Sequence, residues 1–220
     1  MLSVSDEVVV FDFDGTVADT VALSFKIYNQ LSEEFGYKKL AGREQYLELF
    51  HKSAPAVIKA IGLSPLKLPR LASEGKRLFR ENLDQVKVFK GLAEVLAQLA
   101  KSHRLVIISS NLRELIEEFL ERHGLRQYFE LVLGAEGGES KFKLLKHYLA
   151  QSGGRPEDAW LVCDTTRDVK DGKKLGMKVI AVTWGYHHLE VLKRERPDFM
   201  VDRPEELLQI IEEQGEGNFP

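Results

Sequence analysis

The sequence predicts an α/β fold, a doubly wound parallel sheet interrupted by an all-helical insertion. Three observations carry that expectation. Short runs of unbroken hydrophobicity recur along the chain, as in strands covered on both faces. From residue 91 onward, segments with a helical period separate those runs. Between residues 18 and 85 the alternation stops and only helical patterns remain.

The first strand is Val8-Val9-Val10-Phe11, a β-branched and aromatic run that ends in the loop Asp12-Phe13-Asp14-Gly15-Thr16. The insertion follows. Val21, Phe25, Tyr28, Leu31 and Phe35 share one helical face, with Asp19-Thr20 ahead as capping residues and Gly36 as a stop. Tyr46 to Phe50, Val57 to Ile61 and Leu66 to Leu83 also read as helical, separated by Gly42, Pro55, Gly62, Pro65 and Pro69, with no strand among them. The expected division is therefore residues 1–17 with 86–220 as the α/β domain and residues 18–85 as the helical domain.

After the insertion, Leu92, Val95, Leu96 and Leu99 mark a helix and Leu105-Val106-Ile107-Ile108 the next strand. A helix on Leu115, Ile116, Phe119 and Leu120 leads to Leu131-Val132-Leu133. Another, on Leu144, Leu145, Tyr148 and Leu149, leads to Trp160-Leu161-Val162-Cys163. Val179-Ile180-Ala181-Val182 and a short Phe199-Met200-Val201 complete the strands. Leu207, Leu208, Ile210 and Ile211 form the last helical pattern, with Pro204 near its first turn.

With 44% hydrophobic and 30% charged residues in 220, the chain can bury a globular core and is not disordered overall. No sustained short repeat suggests collagen or a coiled coil. A net charge of -3, from 31 basic and 34 acidic residues, speaks against a broad basic face, so no nucleic-acid partner is expected. The single cysteine, Cys163, excludes an internal disulfide framework and a multi-thiolate zinc site. The first residues lack a basic leader segment, and no window reaches the ~20 apolar residues of a membrane span. A cytoplasmic protein without membrane contact is the expectation. Residues 18–85 carry 11 Lys and Arg against 8 Asp and Glu, and the remainder 20 against 26, a balance that suits an anionic ligand between the two parts.

In an open parallel sheet, ligands bind beyond the carboxyl ends of the strands. Asp12 and Asp14 follow the first strand, Ser109, Ser110 and Asn111 the second, and Asp164 and Asp168 the fourth, while Lys141 opens a helix. A lone acid at a strand end is more often a turn former or a helix cap. Two acids one residue apart, followed by Gly15-Thr16, shift that balance. Clustered carboxylates repel and raise one another's pKa unless a cation neutralises them. A hard divalent ion such as Mg²⁺ takes oxygen ligands of this kind.

Asp12-Phe13-Asp14-Gly15-Thr16 resembles the DxDGT signature of the haloacid dehalogenase superfamily of phosphohydrolases. Ser109 resembles the second motif of that superfamily and Lys141 the third. Asp164-Thr165-Thr166-Arg167-Asp168 resembles the fourth, GDxxxD, with Cys163 standing where glycine or an acid is usual. The four motifs occur in order over nearly the whole chain. The resemblance implies a Rossmann-like core with a C1-type helical cap that closes over the crevice.

It also implies a mechanism. Asp12 would be the nucleophile that becomes an aspartyl phosphate. Asp14 would be the general acid and then the general base. Mg²⁺ would be held by the carboxylates of Asp12 and Asp164 and the backbone carbonyl of Asp14. Asp168 would act one step further out, on metal-bound water or on Lys141. Ser109, Ser110 and Lys141 would bind phosphoryl oxygens, with Gly15 and Thr16 offering backbone N–H groups nearby. Lys143 is a rival to Lys141. Cys163 is read as a buried strand-end residue without a catalytic role.

The superfamily's dehalogenases lack the second aspartate, so Asp14 argues for phosphatase chemistry on a small phosphorylated metabolite. Val182-Thr183-Trp184-Gly185-Tyr186 resembles the same region of phosphoglycolate-phosphatase-like members. His187-His188 reads as a solvated loop, and Arg43, Lys52 and Lys59 are cap side chains that could touch substrate. A phosphomutase of the β-phosphoglucomutase type shares these motifs, and a catalytically idle ligand-binding homologue is the third reading. Neither the substrate nor the oligomeric state follows from the sequence.

Overall fold

The computed structural model describes residues 7–136 and 139–215. Two compact units emerge, one from the chain up to Asp19 and from Val88 onward, the other from Thr20–Lys87.

The first unit is built on a six-stranded parallel sheet. β1 (Val8–Phe11) is followed by a two-residue strand, β2 (Ala18–Asp19). In the second unit come α1 (Val21–Phe35), α2 (Arg43–Phe50), α3 (Ala54–Ile61) and α4 (Leu68–Glu81). The chain returns through β3 (Lys87–Val88), which pairs with β2. Then α5 (Leu92–Leu99), β4 (Arg104–Ile108), α6 (Arg113–Arg122), β5 (Leu131–Leu133) and α7 (Lys141–Ser152) alternate. They are followed by β6 (Trp160–Cys163), α8 (Thr166–Leu175), β7 (Lys178–Val182), α9 (Leu189–Arg194), β8 (Phe199–Val201) and α10 (Glu205–Gly215). The expected doubly wound sheet is present.

Strand order is β5-β4-β1-β6-β7-β8. Val10 of β1 is opposite Val106 of β4 on one side and Leu161 of β6 on the other. The chain builds outward from β1 to β4 and β5, then crosses back to β6, β7 and β8. β1 therefore sits where the winding direction reverses, the place where such sheets open a crevice at their carboxyl ends.

Both faces of β1 are buried, as its unbroken hydrophobicity requires. Val8 and Val10 join Val106, Ile108, Leu161, Cys163 and Val179 in a core covered by Leu145 and Leu149 of α7 and Val169 of α8. Cys163 is fully buried there, as expected of a strand-end packing residue. On the opposite face, the Phe11 ring meets the edge of Phe129 with centroids 6.1 Å apart. Gly172 lets α8 approach the sheet, since a Cβ there would meet Leu161 at 2.7 Å and Val179 at 2.8 Å.

The stretch expected to be all-helical, residues 18–85, departs from its sequence pattern in three details. Thr20 occupies the N-cap position of α1, yet its backbone is already helical and its side chain makes no capping bond. The stretch from Leu66 to Leu83 is not one helix. A 3-10 turn (Pro65–Lys67) precedes α4, because Pro69 lacks an N–H and suits only a helix's first turn, and Leu83 falls in a second 3-10 turn. The third departure is β2, both residues of which fall where no strand is expected. Gly36 does end α1, at φ 70°. Phe25 and Tyr28 are half-buried, in an aromatic group with Tyr37, Tyr46 and Phe50. Among the described residues, no helix is long and apolar enough to cross a membrane.

Candidate active site

The site grows from the tip of β1. Asp12 still takes part in sheet pairing, its N–H donating to Val162 O of β6 at 2.9 Å, so its position is set by the pairing of β1 with β6. The next side chain, Phe13, is fully buried edge-on to Phe119, which pins the loop just beyond the strand. The loop then turns tightly. Val17 N and Ala18 N both donate to Phe13 O, and Gly15 N donates to Ala18 O. Gly15 adopts φ +77°, and a Cβ there would collide with the Asp164 carboxylate and the Tyr186 ring. Glycine is required on both counts.

Asp164 lies at the tip of β6, fully buried. Its Oδ2 accepts the Tyr186 backbone N–H at 2.7 Å and its Oδ1 accepts the Thr16 hydroxyl at 3.3 Å. Gly185 leaves room for this carboxylate, because a Cβ there would strike it and the Gly15 carbonyl. The Trp184 indole N–H donates to Thr16 O at 3.2 Å, so the Trp184–Tyr186 loop braces the metal-candidate side of the site.

Asp168 sits in the first turn of α8. Its backbone N–H donates to the Thr165 hydroxyl at 3.3 Å, and that hydroxyl donates to Asp168 Oδ2 at 2.7 Å. The same Oδ2 lies 3.1 Å from Lys141 Nζ. Lys141, the first residue of α7, is buried and its Nζ lies 2.8 Å from Asp12 Oδ1. The rival Lys143 is exposed.

Oxygen atoms of Asp12, Asp164 and Asp168 all lie within 4.8 Å of one another. Three buried carboxylates thus face one ammonium, and the electrostatics reflect the imbalance. Burial pushes Asp12 well above the usual carboxylate range, opposed by Lys141 and reinforced by Asp168 and Asp164. Burial likewise raises Asp164 to about 7, against the stabilising Tyr186 N–H. Asp168 is lowered: burial works against its ionisation, but Lys141 and the Thr165 hydroxyl outweigh that cost. Burial works against the Lys141 ammonium too, yet Asp12 and Asp168 hold its pKa above the ordinary value. An all-oxygen donor set with excess buried negative charge fits a hard divalent cation.

Asp14 points its carboxylate elsewhere. Its Oδ2 accepts from Asn111 Nδ2 at 3.1 Å. Ser109 is buried after β4, its N–H donating to Leu133 O and its Oγ accepting the Asn111 N–H at 3.0 Å. Ser110 is exposed. His187 is not solvated as expected. It is buried, and its Nδ1 accepts the Thr166 N–H at 3.0 Å, so the ring serves the first turn of α8, while His188 is exposed. Arg43, Lys52 and Lys59 are exposed on the helical unit. Neither Asn111 nor the Tyr186 N–H is marked as a site group by the sequence. Asn111 follows the Ser109-Ser110 pair directly, a polar residue at a strand end. A backbone N–H leaves no trace in side-chain identity.

Residues 9–182, which include Asp12, Asp14, Ser109, Lys141, Asp164 and Asp168, match the haloacid dehalogenase-like hydrolase family. The chain belongs to that family. A phosphoglycolate phosphatase from Synechococcus elongatus is 35% identical to this hydrolase over 206 residues, covering 93% of the chain and 97% of the relative. The pyrophosphatase PpaX of Bacillus cereus is 26% identical over 208 residues, covering 92% and 95%. A haloacid dehalogenase-like family protein from Streptococcus pneumoniae shares the fold at a TM-score of 0.82 and 18% identity, covering 92% of this hydrolase and 97% of that chain.

Proposed function

We propose that this hydrolase is a magnesium-dependent phosphatase that cleaves a small phosphomonoester through an aspartyl phosphate on Asp12. The observation that carries the reading is the pairing of a strand-tip carboxylate, Asp12, with a buried ammonium, Lys141, beside two further buried acids. An anionic nucleophile approaches an anionic phosphate only where positive charge is fixed nearby. A magnesium ion, held by the carboxylates of Asp12 and Asp164 and the Asp14 backbone carbonyl, would supply charge that keeps Asp12 ionised and screens the phosphoryl oxygens.

In the first half-reaction, an Asp12 oxygen bonds to phosphorus as the bond to the leaving oxygen breaks. Asp14 gives that oxygen its proton. In the second, Asp14 takes a proton from water, the water oxygen bonds to phosphorus, and the Asp12–phosphorus bond breaks to release inorganic phosphate. Lys141 and the Ser109 hydroxyl hold phosphoryl oxygens, with Ser110 at the same loop end, whereas the expected Gly15 and Thr16 N–H donors are spent within the turn, on Ala18 O at 2.9 Å and Phe13 O at 3.3 Å. Because the Ser109 oxygen accepts the Asn111 N–H, its own O–H is left to donate. Asp168 positions Lys141 through its 3.1 Å ion pair. The helical unit enters the chain directly after the loop that bears Asp12 and Asp14, and we assign it the cap's role of choosing the substrate.

Identity with a phosphoglycolate phosphatase makes 2-phosphoglycolate the first substrate to try, and pyrophosphate the second. Phosphate release with Mg²⁺ is measured for the parent and for Asp12→Asn. Turnover is expected to fall by at least about 10³-fold with an unchanged melting temperature. Fluoroberyllate, which mimics a phosphoryl group on Asp12, is expected to inhibit the parent only when Mg²⁺ is present. An Asp12→Asn variant that retains turnover, or indifference to fluoroberyllate, would overturn the covalent route.

A further inference from the structure

We infer that Asn111 is a positioning residue that aims the Asp14 carboxylate for proton transfer, and that the same residue fixes the Ser109 hydroxyl. The inference rests on the reading of Asp14 as the acid and base of the reaction.

Asn111 meets both groups with different parts of itself. Its side-chain Nδ2 donates to Asp14 Oδ2 at 3.1 Å, and its backbone N–H donates to Ser109 Oγ at 3.0 Å. The orientation of the amide is settled by chemistry. Its Oδ1 accepts the Leu112 N–H at 2.8 Å, a bond that the Nδ2 group cannot make, so the donor end faces the carboxylate. The backbone is held as well. Asn111 O accepts the Ala135 N–H at 3.0 Å. Beside that bond, Gly134 packs so tightly that a Cβ would stand 2.7 Å from Asn111 O. The residue therefore cannot slide away from the two groups it touches.

Asp14 needs such a guide. It lies in a loop, half-buried, and shares none of the 4.8 Å oxygen cluster formed by the other three acids. A carboxylate that must reach the leaving oxygen and later the attacking water loses rate when its rotamer is not held. An amide donor holds it without competing for a proton at the pH of the reaction, which a lysine or histidine in that place would do.

The test uses two substrates that differ in their need for the acid. The alkoxide of 2-phosphoglycolate requires a proton to leave, whereas the p-nitrophenolate of p-nitrophenyl phosphate departs without one. kcat/KM reports the steps up to that departure. Asn111→Leu removes the donor at similar volume, and Asn111→Asp keeps the acceptor for Leu112 N–H while turning an oxygen toward Asp14. Both are expected to lose about 10²-fold in kcat/KM on 2-phosphoglycolate and at least about tenfold less on p-nitrophenyl phosphate. Equal losses on the two substrates, or none, would overturn the inference, because a merely structural role strikes both alike. Asp14→Asn is run beside them. A leaving-group split in Asp14→Asn but not in the Asn111 variants sinks the inference alone. No split in Asp14→Asn removes the acid reading and the inference with it.

Discussion

Every residue of β1 and β6 is buried, whereas α3 in the helical unit buries only Ile61 of its eight residues. The contrast is one of architecture. A central parallel strand has neighbours on both edges and helices on both faces, so nothing on it reaches water. A short helix in a small all-helical unit has one face to bury and leaves the rest exposed. Ionised groups can be held out of water only where the surroundings are rigid enough to fix their partners. That condition is met at the tips of β1 and β6, where Asp12, Asp164, Asp168 and Lys141 are all buried.

The largest effect is expected where that burial is broken. Lys141→Met leaves Asp12 and Asp168 without their shared cation, and in metal-free buffer should cost about 3–5 kcal/mol by denaturant unfolding. Lys143→Met, on the exposed side of the same helix, should stay within about 0.5 kcal/mol. If the two variants unfold alike, the buried ion pairs are not a feature of the folded protein.

A smaller effect sharpens the contrast between the two units. Leu96 is fully buried in α5, and Leu96→Ala is expected to lose about 3 kcal/mol through the cavity it leaves. Leu66, in the helical unit, is 93% exposed, and Leu66→Ala should lie within about 0.5 kcal/mol of the parent. Equal losses would mean that Leu66 is covered in solution.

The smallest effect, a shift in melting temperature, follows from Asp164. Its pKa is raised to about 7 in the metal-free fold, above the unfolded value. This group's contribution to stability is therefore full at low pH and lost as pH rises through about 7. Magnesium binding has the opposite sign, since the ion must displace that proton and so binds better as pH rises. The gap in melting temperature between Mg²⁺ and EDTA should therefore widen from about pH 5.5 to about pH 8. A gap independent of pH would mean that Asp164 is already ionised in the metal-free protein.

Much of this was legible in one dimension. The six strands of the main sheet were marked by uninterrupted apolar runs, because residues covered on both faces cannot alternate with polar ones. The candidate site residues stand out where those runs break, at Asp12, Ser109 and Asp164. Where patterns were one-sided the reading was less accurate. Pro69 reads as a separator, whereas it lies in the first turn of α4, and Thr20 stands at the N-cap of α1 without making a side-chain capping bond. His187 reads as solvated in the sequence because two adjacent histidines give no periodic signal. Only the fold shows that the first is buried against Thr166.

What the amino-acid order determined alone was the set of strands and the chemical types gathered at their ends, since burial periodicity and abrupt polarity changes are written residue by residue. The tertiary structure decided the pairings. It chose Lys141 over Lys143, set Asn111 against Asp14 across 97 residues of chain, and gave Asp164 the Tyr186 N–H as a partner. Such choices depend on distances between segments remote in sequence, and a distance of that kind exists only once the sheet has assembled.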